Sequence, residues 1–565
     1  MRFHALAADF DGTLAADSNV DDATIESLKR LRKSGRRTVL VTGRLLSDLE
    51  RVFPRLDSFD KIVAENGALL YDPFTREEQL LAEPADMRLV ERLRERGVTP
   101  LDVGRVIVAT WVPHDAVVLE TIRDLGLDAQ VIFNKGAVMV LPASVNKATG
   151  LRSALDALGL SLHSVVSIGD AENDLPFLRA SEIGVAVANA LDSVKLAADL
   201  TVSGERGDGV RELIERIIED DFGDFDDLAA RGIELGTTDS GPVRLRPYCG
   251  GVLLAGSSGT GKSTLATGFI ERLGAAGYQY CLIDAEGDYD DLPDALVIGT
   301  PQQAPVHEEA VQLLVAGQNV VVQLLAVDIP ERPRYFEALA SRLGELRSAS
   351  GRPHWIIMDE AHHFFPEDAS AGSLYGHHSL FFITTKPALL ARAALEHVDA
   401  VIAVGEQAAA TITASWQRAG LEASAFDIKP PPLRGEALLS LRMSPNRAEC
   451  FAVSPGKTQQ RRHRRKYAHG DLAEEKSFFF TGPAFALKLR AQNLTSFLEL
   501  GFGVDDETWE YHLRLGEYST WIRESLGDEE LAARVAQIEA EAGLTAGDSR
   551  VRIKDQIESC YTAPA

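Results

Sequence analysis

Two short apolar runs, far apart in the chain, each end in a polar segment suited to binding phosphate. The run at Ala5–Ala8 leads into Asp9-Phe10-Asp11-Gly12-Thr13, and the run at 252–255 leads into residues 256–263. Short apolar runs are typical of buried parallel strands, and ligands bind beyond the carboxyl ends of such strands. The sequence therefore predicts an α/β fold class with two separate α/β units, each with a phosphate site of its own.

The pattern of apolar runs divides the 565 residues into four segments. In chain order these are a doubly wound, Rossmann-like α/β domain (1–218), an acidic linker (219–240), a second α/β domain (241–440) and a mainly helical region (441–565). The proline run at 430–432, which no helix or central strand tolerates, sets the predicted end of the second domain.

The composition is that of a soluble globular protein, with 45% hydrophobic and 25% charged residues. No apolar run approaches the ~20 residues of a membrane span and no signal peptide precedes the first strand, so we expect a cytoplasmic protein with no membrane partner. The four cysteines lack metal-ligand spacing and are expected to be reduced. A formal net charge of −26 disfavours nucleic-acid partners, apart from one basic run at 461–466.

Further polar residues follow the apolar runs of the first domain. Thr42-Gly43-Arg44 follows residues 39–41, Gly169-Asp170-Ala171-Glu172-Asn173-Asp174 follows 165–168, and Lys147 lies between these segments. Because the carboxyl ends of parallel strands share one edge of a sheet, we expect these residues to lie beside Asp9 and Asp11. The set offers a carboxylate nucleophile, an acid or base, a hydroxyl and cations for phosphoryl oxygens, and ligands for Mg²⁺.

In this order the motifs of residues 1–218 resemble those of the haloacid dehalogenase-type phosphatases, in the branch whose cap is inserted late, with Glu65-Asn66-Gly67 in support. The resemblance implies that Asp9 attacks a phosphomonoester to form an aspartyl-phosphate, while Asp11 acts as acid and then as base. It implies Mg²⁺ as cofactor and three groups of site residues: Asp9, Asp11, Asp170 and Asp174 for the metal, Thr42 and Lys147 for the phosphoryl group, and Gly43, Arg44 and Asn173 for the substrate. The resemblance also implies a small α/β cap, inserted within this domain at about 82–143. A cap this short favours a small substrate such as a sugar phosphate or a phosphoglycolate-like acid.

Residues 256–263 match the P-loop motif G-x-x-x-x-G-K-[ST] in full, between an apolar run and a helical segment. We expect Lys262 to reach the β and γ phosphates of ATP and Ser263 to hold Mg²⁺. The apolar run at 355–358 ends in Asp359-Glu360, where Asp359 is expected to position the metal and Glu360 the attacking water. The expected nucleotide-binding residues are Gly256, Ser257, Ser258, Gly259, Thr260, Gly261, Lys262, Ser263, Thr264 and Asp359.

Two further segments make residues 245–405 similar to the HerA-type ATPases: the acidic segment at 284–289 and the apolar run at 381–385, which ends in two threonines. A helicase of the DEAH class is disfavoured because no second helicase core follows. The resemblance implies a ring-shaped homo-oligomer with an arginine finger.

Candidate arginine fingers are Arg342, Arg347 and Arg352, although a surface role is favoured for each. His362 and His363 follow Asp359-Glu360 directly, and packing or support of the catalytic loop is favoured over a zinc site, because no cysteine or second histidine pair has ligand spacing.

Two hypotheses remain open on the sequence. The first is a phosphomonoesterase that is regulated or assembled by an ATP-binding domain. The alternative is an ATP-driven motor or switch acting on nucleic acid or another macromolecule, with an ancillary phosphatase. The basic run at 461–466 bears on this choice, because a nucleic-acid site there would favour the alternative. Ion pairs within the protein or a solvated turn are nevertheless the favoured roles of this run. Residues 441–565 are expected to form an interaction or regulatory region.

Overall fold

The computed structural model of the chain describes residues 1–134, 136–223, 232–257, 259–369, 372–374, 377–425, 431–457, 472, 474–483, 485–526 and 528–561. The chain forms two compact units, Met1–Thr458 and Gln459–Ala565. No helix among these residues is both long enough and apolar enough to cross a membrane.

The N-terminal lobe, residues 1–223, contains a mixed sheet with the strand order β12-β11-β10-β1-β2-β3-β4-β5 among its described residues. Its strands and those of the inserted cap are β1 (Ala5–Ala8), β2 (Arg37–Val41), β3 (Lys61–Ala64), β4 (Leu69–Tyr71), β5 (Glu78–Leu80), β6 (Asp102–Val103), β7 (Val108–Trp111), β8 (Ala129–Asn134), β9 (Ala137–Pro142), β10 (Val165–Gly169), β11 (Ile183–Ala186) and β12 (Leu200–Thr201). The helices are α1 (Asp22–Lys33), α2 (Leu46–Val52), α3 (Met87–Glu95), α4 (Asp115–Leu125), α5 (Lys147–Leu158), α6 (Leu175–Ala180), α7 (Asp192–Ala197) and α8 (Arg206–Glu219).

The central strands of this sheet run parallel and are buried along their whole length. Every residue of β1 and of β10 is buried, as expected of strands covered on both faces. Ala8 pairs with Ile168 of β10 and with Leu40 of β2, so the three strands end at nearly the same level. The residues that follow them therefore share one edge of the sheet, as the sequence predicts.

The cap is a small α/β unit inserted between β5 and α5. Its antiparallel sheet has the order β6-β7-β9-β8, and α3 and α4 supply buried side chains to the same apolar cluster. The sequence predicts one extended segment over 129–140, whereas the structure has the two antiparallel strands β8 and β9. Gly136, with φ +89°, lies in the turn between them and allows the reversal.

The second lobe, residues 232–457, contains a sheet with the order β14-β13-β23-β22-β21-β15-β20-β19-β16-β18-β17 in its described part. The strands are β13 (Ile233–Thr238), β14 (Gly241–Leu245), β15 (Gly251–Ala255), β16 (Tyr280–Asp284), β17 (Ala295–Ile298), β18 (Asn319–Gln323), β19 (Trp355–Met358), β20 (Leu380–Thr384), β21 (Val398–Val404), β22 (Glu436–Leu441) and β23 (Glu449–Val453). The helices are α9 (Lys262–Ala275), α10 (His307–Val315), α11 (Arg332–Ser350), α12 (Arg392–Leu395) and α13 (Ala408–Arg418).

Two predicted boundaries of the second lobe are wrong. β13 lies inside the predicted linker at 219–240 and pairs with both β14 and β23. β22 pairs antiparallel with β21, and β23 pairs antiparallel with β22, so the lobe continues past 440. The proline run ends no domain, because a proline restricts only its own segment of backbone and not the strands that follow it.

The C-terminal unit is mainly helical, with one antiparallel hairpin. Its elements are β24 (Phe478–Phe480), β25 (Leu489–Ala491), α14 (Leu494–Gly503), α15 (Asp506–Arg514), α16 (Glu517–Trp521), α17 (Glu529–Glu539) and α18 (Ala546–Tyr561). Phe480, Phe497, Trp509 and Tyr518 are buried and pack together in the core of this unit. The basic run at 461–466 lies outside the described residues.

We predict that Gly150→Ala destabilises the N-terminal lobe. Gly150 lies on α5 where the helix crosses the sheet, and a Cβ there would come within 2.4 Å of Val63 Cγ1 and 2.7 Å of Gly67 Cα. Overpacking of this kind costs about 1–3 kcal/mol. Thermal unfolding should show a lower midpoint for Gly150→Ala, and the control Arg152→Ala, on the exposed side of the same helix, should unfold like the wild type.

Candidate active site

Asp9, Lys147 and Asp174 form the centre of the site at the edge of the first sheet. The Lys147 ammonium donates hydrogen bonds to Asp9 Oδ1 and to Asp174 Oδ1, each at 2.6 Å. Lys147 is the first residue of α5, whose N-terminus is capped by the Asn146 side chain. Lys147 is only 1% exposed, so its charge is compensated by the two carboxylates rather than by water.

Three carboxylates of this site are placed to hold a divalent cation. Oxygens of Asp9, Asp170 and Asp174 all lie within 4.8 Å of one another, and all three residues are buried. Together with Lys147 they leave two negative charges, which suits an oxygen-preferring cation such as Mg²⁺. Asp174 also shapes the loop, because its Oδ2 accepts from the backbone N–H of Asp170 and of Ala171 at 2.8 and 2.9 Å.

The charge states of Asp9 and Lys147 depend on this crowding. Burial raises the pKa of the Asp9 carboxyl, Asp174 and Asp170 raise it further, and Lys147 opposes them. Burial lowers the pKa of the Lys147 ammonium, but the attraction of Asp174 and Asp9 outweighs burial and raises it overall. Lys147 is therefore a permanent cation, and Asp9 needs further positive charge nearby to be a stable anion.

Arg44 binds Asp11, a pairing that the sequence does not predict. The guanidinium donates from Nε to Asp11 Oδ2 at 2.7 Å and from Nη2 to Asp11 Oδ1 at 2.6 Å. It also donates to Asp48 and to Ser18. Nothing in the local sequence pattern signals this contact, since it joins loops that follow two different strands.

The residues predicted for the phosphoryl group and the substrate lie around this centre. Thr42 is fully buried, and its hydroxyl accepts from the Arg44 backbone N–H at 3.1 Å. A Cβ on Gly43 would lie 3.7 Å from Asn173 Nδ2 and 3.8 Å from the sulfur of Met139 in the cap. The structure therefore brings Thr42, Gly43 and Asn173 together beneath the cap.

The second predicted site lies at the carboxyl end of β15. Lys262 begins α9, and its ammonium donates to the Ser257 carbonyl at 3.1 Å. Gly259 and Gly261, with φ of +81° and +98°, adopt left-handed backbone that favours glycine. Ser258 lies outside the described residues.

Asp359 and Glu360 follow β19 and are both largely buried. Glu360 has a left-handed backbone with φ +46°, and its carboxylate accepts from the N–H of Thr385 at 3.2 Å and from the hydroxyl at 3.0 Å. The ring of His362 lies 3.0 Å from the Thr384 hydroxyl and 3.2 Å from Glu360. His362 thus supports this loop, and the carboxylate group at Asp9 is the one metal-suited cluster among the described residues.

All three candidate arginine fingers make contacts within the same chain. Arg347 donates to the carbonyls of Pro353 and His354 at 2.7 and 2.8 Å. Arg352 donates to the Leu160 carbonyl of the N-terminal lobe at 2.9 Å, and Arg342 pairs with Glu345 at the surface.

Comparisons with known proteins match the N-terminal lobe, which contains the first site. A model of the haloacid dehalogenase-like hydrolases matches residues 6–97 and 118–214. The phosphoglycolate phosphatase of Methanothermobacter thermautotrophicus is 32% identical over 224 residues, which cover 38% of this chain and 98% of that protein. For the phosphoglycolate phosphatase of Methanopyrus kandleri the identity is 31% over 224 residues, covering 38% of this chain and 96% of that protein.

A solved haloacid dehalogenase-like hydrolase from Bacteroides thetaiotaomicron is 23% identical, with a TM-score of 0.33, and covers 38% of this chain and 99% of its own. On the family model and the curated relatives, this chain belongs, through its N-terminal lobe, to the haloacid dehalogenase-like hydrolases.

Proposed function

We propose that the N-terminal lobe is a Mg²⁺-dependent phosphomonoesterase acting on a small phosphorylated metabolite. The observation that carries this proposal is the buried Lys147 ammonium held between Asp9 and Asp174, beside the carboxylate of Asp170. The relatives named phosphoglycolate phosphatase support the same class of substrate. When bound, Mg²⁺ would be held by Asp9, Asp170 and Asp174 and would neutralise charge on the phosphoryl oxygens.

In this mechanism an Asp9 oxygen attacks phosphorus while the bond from phosphorus to the ester oxygen breaks. The leaving oxygen takes a proton from Asp11. Asp11 then removes a proton from water, which attacks the phosphorus of the aspartyl-phosphate, releasing inorganic phosphate and restoring Asp9. Because Arg44 occupies both oxygens of Asp11, one of these hydrogen bonds has to break before Asp11 can reach the leaving group.

The cap supports a compact substrate. The Met139 sulfur of β9 lies 3.8 Å from the position that a Cβ on Gly43 would take, so the gap between the cap and the end of the sheet is narrow here. The side-chain oxygen of Asn173 is buried and has no hydrogen-bond partner among the described residues, which leaves it available to a substrate hydroxyl. A sugar phosphate and a phosphoglycolate-like acid both fit this description.

We predict that Asp9→Asn lowers phosphomonoester turnover by about 10³-fold or more, because an amide cannot form the acyl-phosphate. ATP binding should be unchanged, since Lys262 lies in the other lobe. The control Asp57→Asn, at an exposed position of the same lobe, should keep full turnover. Phosphate release from a panel of small phosphomonoesters measures both variants, and undiminished turnover in Asp9→Asn would remove Asp9 from its assigned role.

We further propose that the second lobe binds and hydrolyses ATP. The specific observation is the strand order, in which β20 lies between β15 and β19 and all three run parallel. The loop before Lys262, the threonines that follow β20 and the pair Asp359-Glu360 therefore meet at one end of the sheet. A helix N-terminus with a lysine binds phosphate there, and Glu360 lies where it can orient water.

Lys262→Ala should lose most of its ATP affinity, whereas Glu360→Gln should keep the affinity and slow hydrolysis by about 10²-fold or more, since only the charge that orients water is removed. Nucleotide-binding titrations and ATP hydrolysis assays separate the two effects. The exposed Lys457→Ala serves as the control for Lys262. Equal loss of affinity in both variants would contradict this division of roles.

The two lobes meet at a polar seam, which supports the proposal that ATP binding regulates the phosphatase. Glu182 of the N-terminal lobe is 1% exposed and accepts from the Tyr278 hydroxyl at 3.0 Å. His163, which stacks on Tyr278, has one ring nitrogen 2.8 Å from Glu182 and the other 3.0 Å from the Ala276 carbonyl. Such buried contacts hold two lobes in one arrangement more firmly than a flexible tether does.

The helices that begin at the two phosphate sites both run to this seam. α5 starts at Lys147 and α9 at Lys262, and residues at the far end of each line one cavity of about 680 Å³. A movement of α9 on nucleotide binding would therefore reach the end of α5.

We predict that Tyr278→Phe abolishes or reduces the change in phosphatase rate that ATP produces in the wild type. The substitution removes one donor to buried Glu182 and leaves both active sites intact. Tyr335→Phe is the matched control, because its hydroxyl donates to the Pro305 carbonyl within the second lobe. Phosphatase assays with and without ATP test the prediction; an unchanged ATP effect in Tyr278→Phe, or no effect in the wild type, would refute coupling through the seam.

A further inference from the structure

Glu65 is a buried carboxylate of the sheet region that reaches into the cap. It begins the short 3₁₀ turn Glu65–Gly67 after β3, and it is 2% exposed. Its φ of +52° lies in the left-handed region, which a residue with a long side chain adopts only where surrounding contacts impose it. The backbone is thus held so that the side chain points to the cap.

Three backbone N–H groups of the cap converge on this carboxylate. Glu65 Oε1 accepts from Arg105 N at 2.9 Å, and Oε2 accepts from Val106 N at 2.9 Å and from Ile107 N at 3.1 Å. These amides belong to the turn between β6 and β7. A Cβ on Gly104 would come within 2.6 Å of the carboxylate, so the turn fits closely around it. Hydrogen bonds to an ionised acceptor are among the stronger ones in proteins.

Glu65 is also tied to the loops of the active site. Its backbone N–H donates to the Arg44 carbonyl at 2.9 Å, and the Asn66 N–H donates to the Thr42 carbonyl at 3.0 Å. The Asn66 side chain accepts from Asn173 at 3.2 Å. One short turn therefore connects the cap to two of the loops that surround Asp9.

An apolar cluster encloses this contact. Ala68 from the sheet region packs with Val106, Ile107, Met139 and Leu141 from the cap, and all five are buried. Exclusion of water strengthens hydrogen bonds to the carboxylate and makes their loss more costly.

We propose that Glu65 is a positioning residue, the sheet-side half of a latch that holds the cap turn 104–107 over the active site. The inference rests on the proposed phosphatase function. In the proposed phosphatase, substrate binds at Asp9 beneath the cap, so the latch sets how closely the cap covers that substrate. Because Glu65 hydrogen-bonds the cap rather than Asp9, losing the latch weakens substrate binding more than it slows the chemical step.

Hydrogen exchange tests the latch without any assay of activity. In Glu65→Gln the side-chain NH₂ is a donor and cannot accept hydrogen bonds from the cap amides. Hydrogen exchange at residues 105–107 should therefore accelerate by about 10-fold or more in the full-length protein. Glu78→Gln is the matched control, because Glu78 pairs only with the exposed side chain of Arg105 and leaves the amides bound. Its exchange at 105–107 should equal that of the wild type.

Steady-state kinetics test the consequence. With a small phosphomonoester that the wild type hydrolyses, Glu65→Gln should raise KM by about 10-fold or more and change kcat by less than about threefold. Gly104→Ala disturbs the latch from the cap side and should likewise raise KM much more than it changes kcat. This second variant keeps the test available if Glu65→Gln does not fold.

Unchanged exchange at 105–107 in a folded Glu65→Gln protein would overturn the latch. Faster exchange with unchanged KM would overturn its role in positioning the cap. A wild type that hydrolyses no phosphomonoester would refute the proposed function. The hydrogen-exchange measurement at residues 105–107 would still decide whether the latch exists.

Discussion

The N-terminal lobe depends on one buried interaction, the Lys147 ammonium held between Asp9 and Asp174. A buried charge is tolerated only when its partners are close and well placed, and here both oxygens lie at 2.6 Å. Lys147 and Asp9 are 138 residues apart in the chain. To bring them together, β1, β10 and α5 have to be fixed relative to one another, and the whole cap has to fit between β5 and α5. The arrangement of the sheet and the chemistry of the site are therefore set by the same contact.

The same helix connects this interaction to the rest of the first unit. α5 carries Lys147 at its start and lines the seam at its end, where the second lobe supplies Tyr278 and the end of α9. Arg352 adds a direct hydrogen bond from the second lobe to the Leu160 carbonyl. An arginine that the sequence offers as a finger for a neighbouring subunit is thus engaged in holding the two lobes of its own chain. The first unit is thus a docked pair of lobes, each with a proposed phosphate site at the start of a helix.

The sequence predicts the parts of this architecture that have a local signal. Asp9 and Lys262 stand out because each belongs to a motif that follows an apolar strand. Within each lobe, the register of neighbouring parallel strands then places the motifs of that lobe side by side. The strands β13, β22 and β23 have no such signal, since they are antiparallel additions with polar or exposed positions, and their membership of the sheet depends on pairings with distant segments. Side-chain pairs such as Arg44 with Asp11 join loops that are close only after folding. Periodicity reports which face of an element is buried, not which partner a charged side chain finds.

In the proposed mechanism, the charge balance of the first site favours a bound cation. Burial and the neighbouring carboxylates raise the pKa of Asp9, the proposed nucleophile, so added positive charge nearby favours its ionised form. Lys147 offsets part of this but is shared with Asp174. A divalent cation among Asp9, Asp170 and Asp174 would cancel the remaining two negative charges, favour the Asp9 carboxylate and leave the site neutral. A phosphoryl group can then approach without meeting a net negative field. In the proposed phosphatase, the buried carboxylates would thus make the reactivity of Asp9 depend on the cation that also neutralises the phosphoryl group.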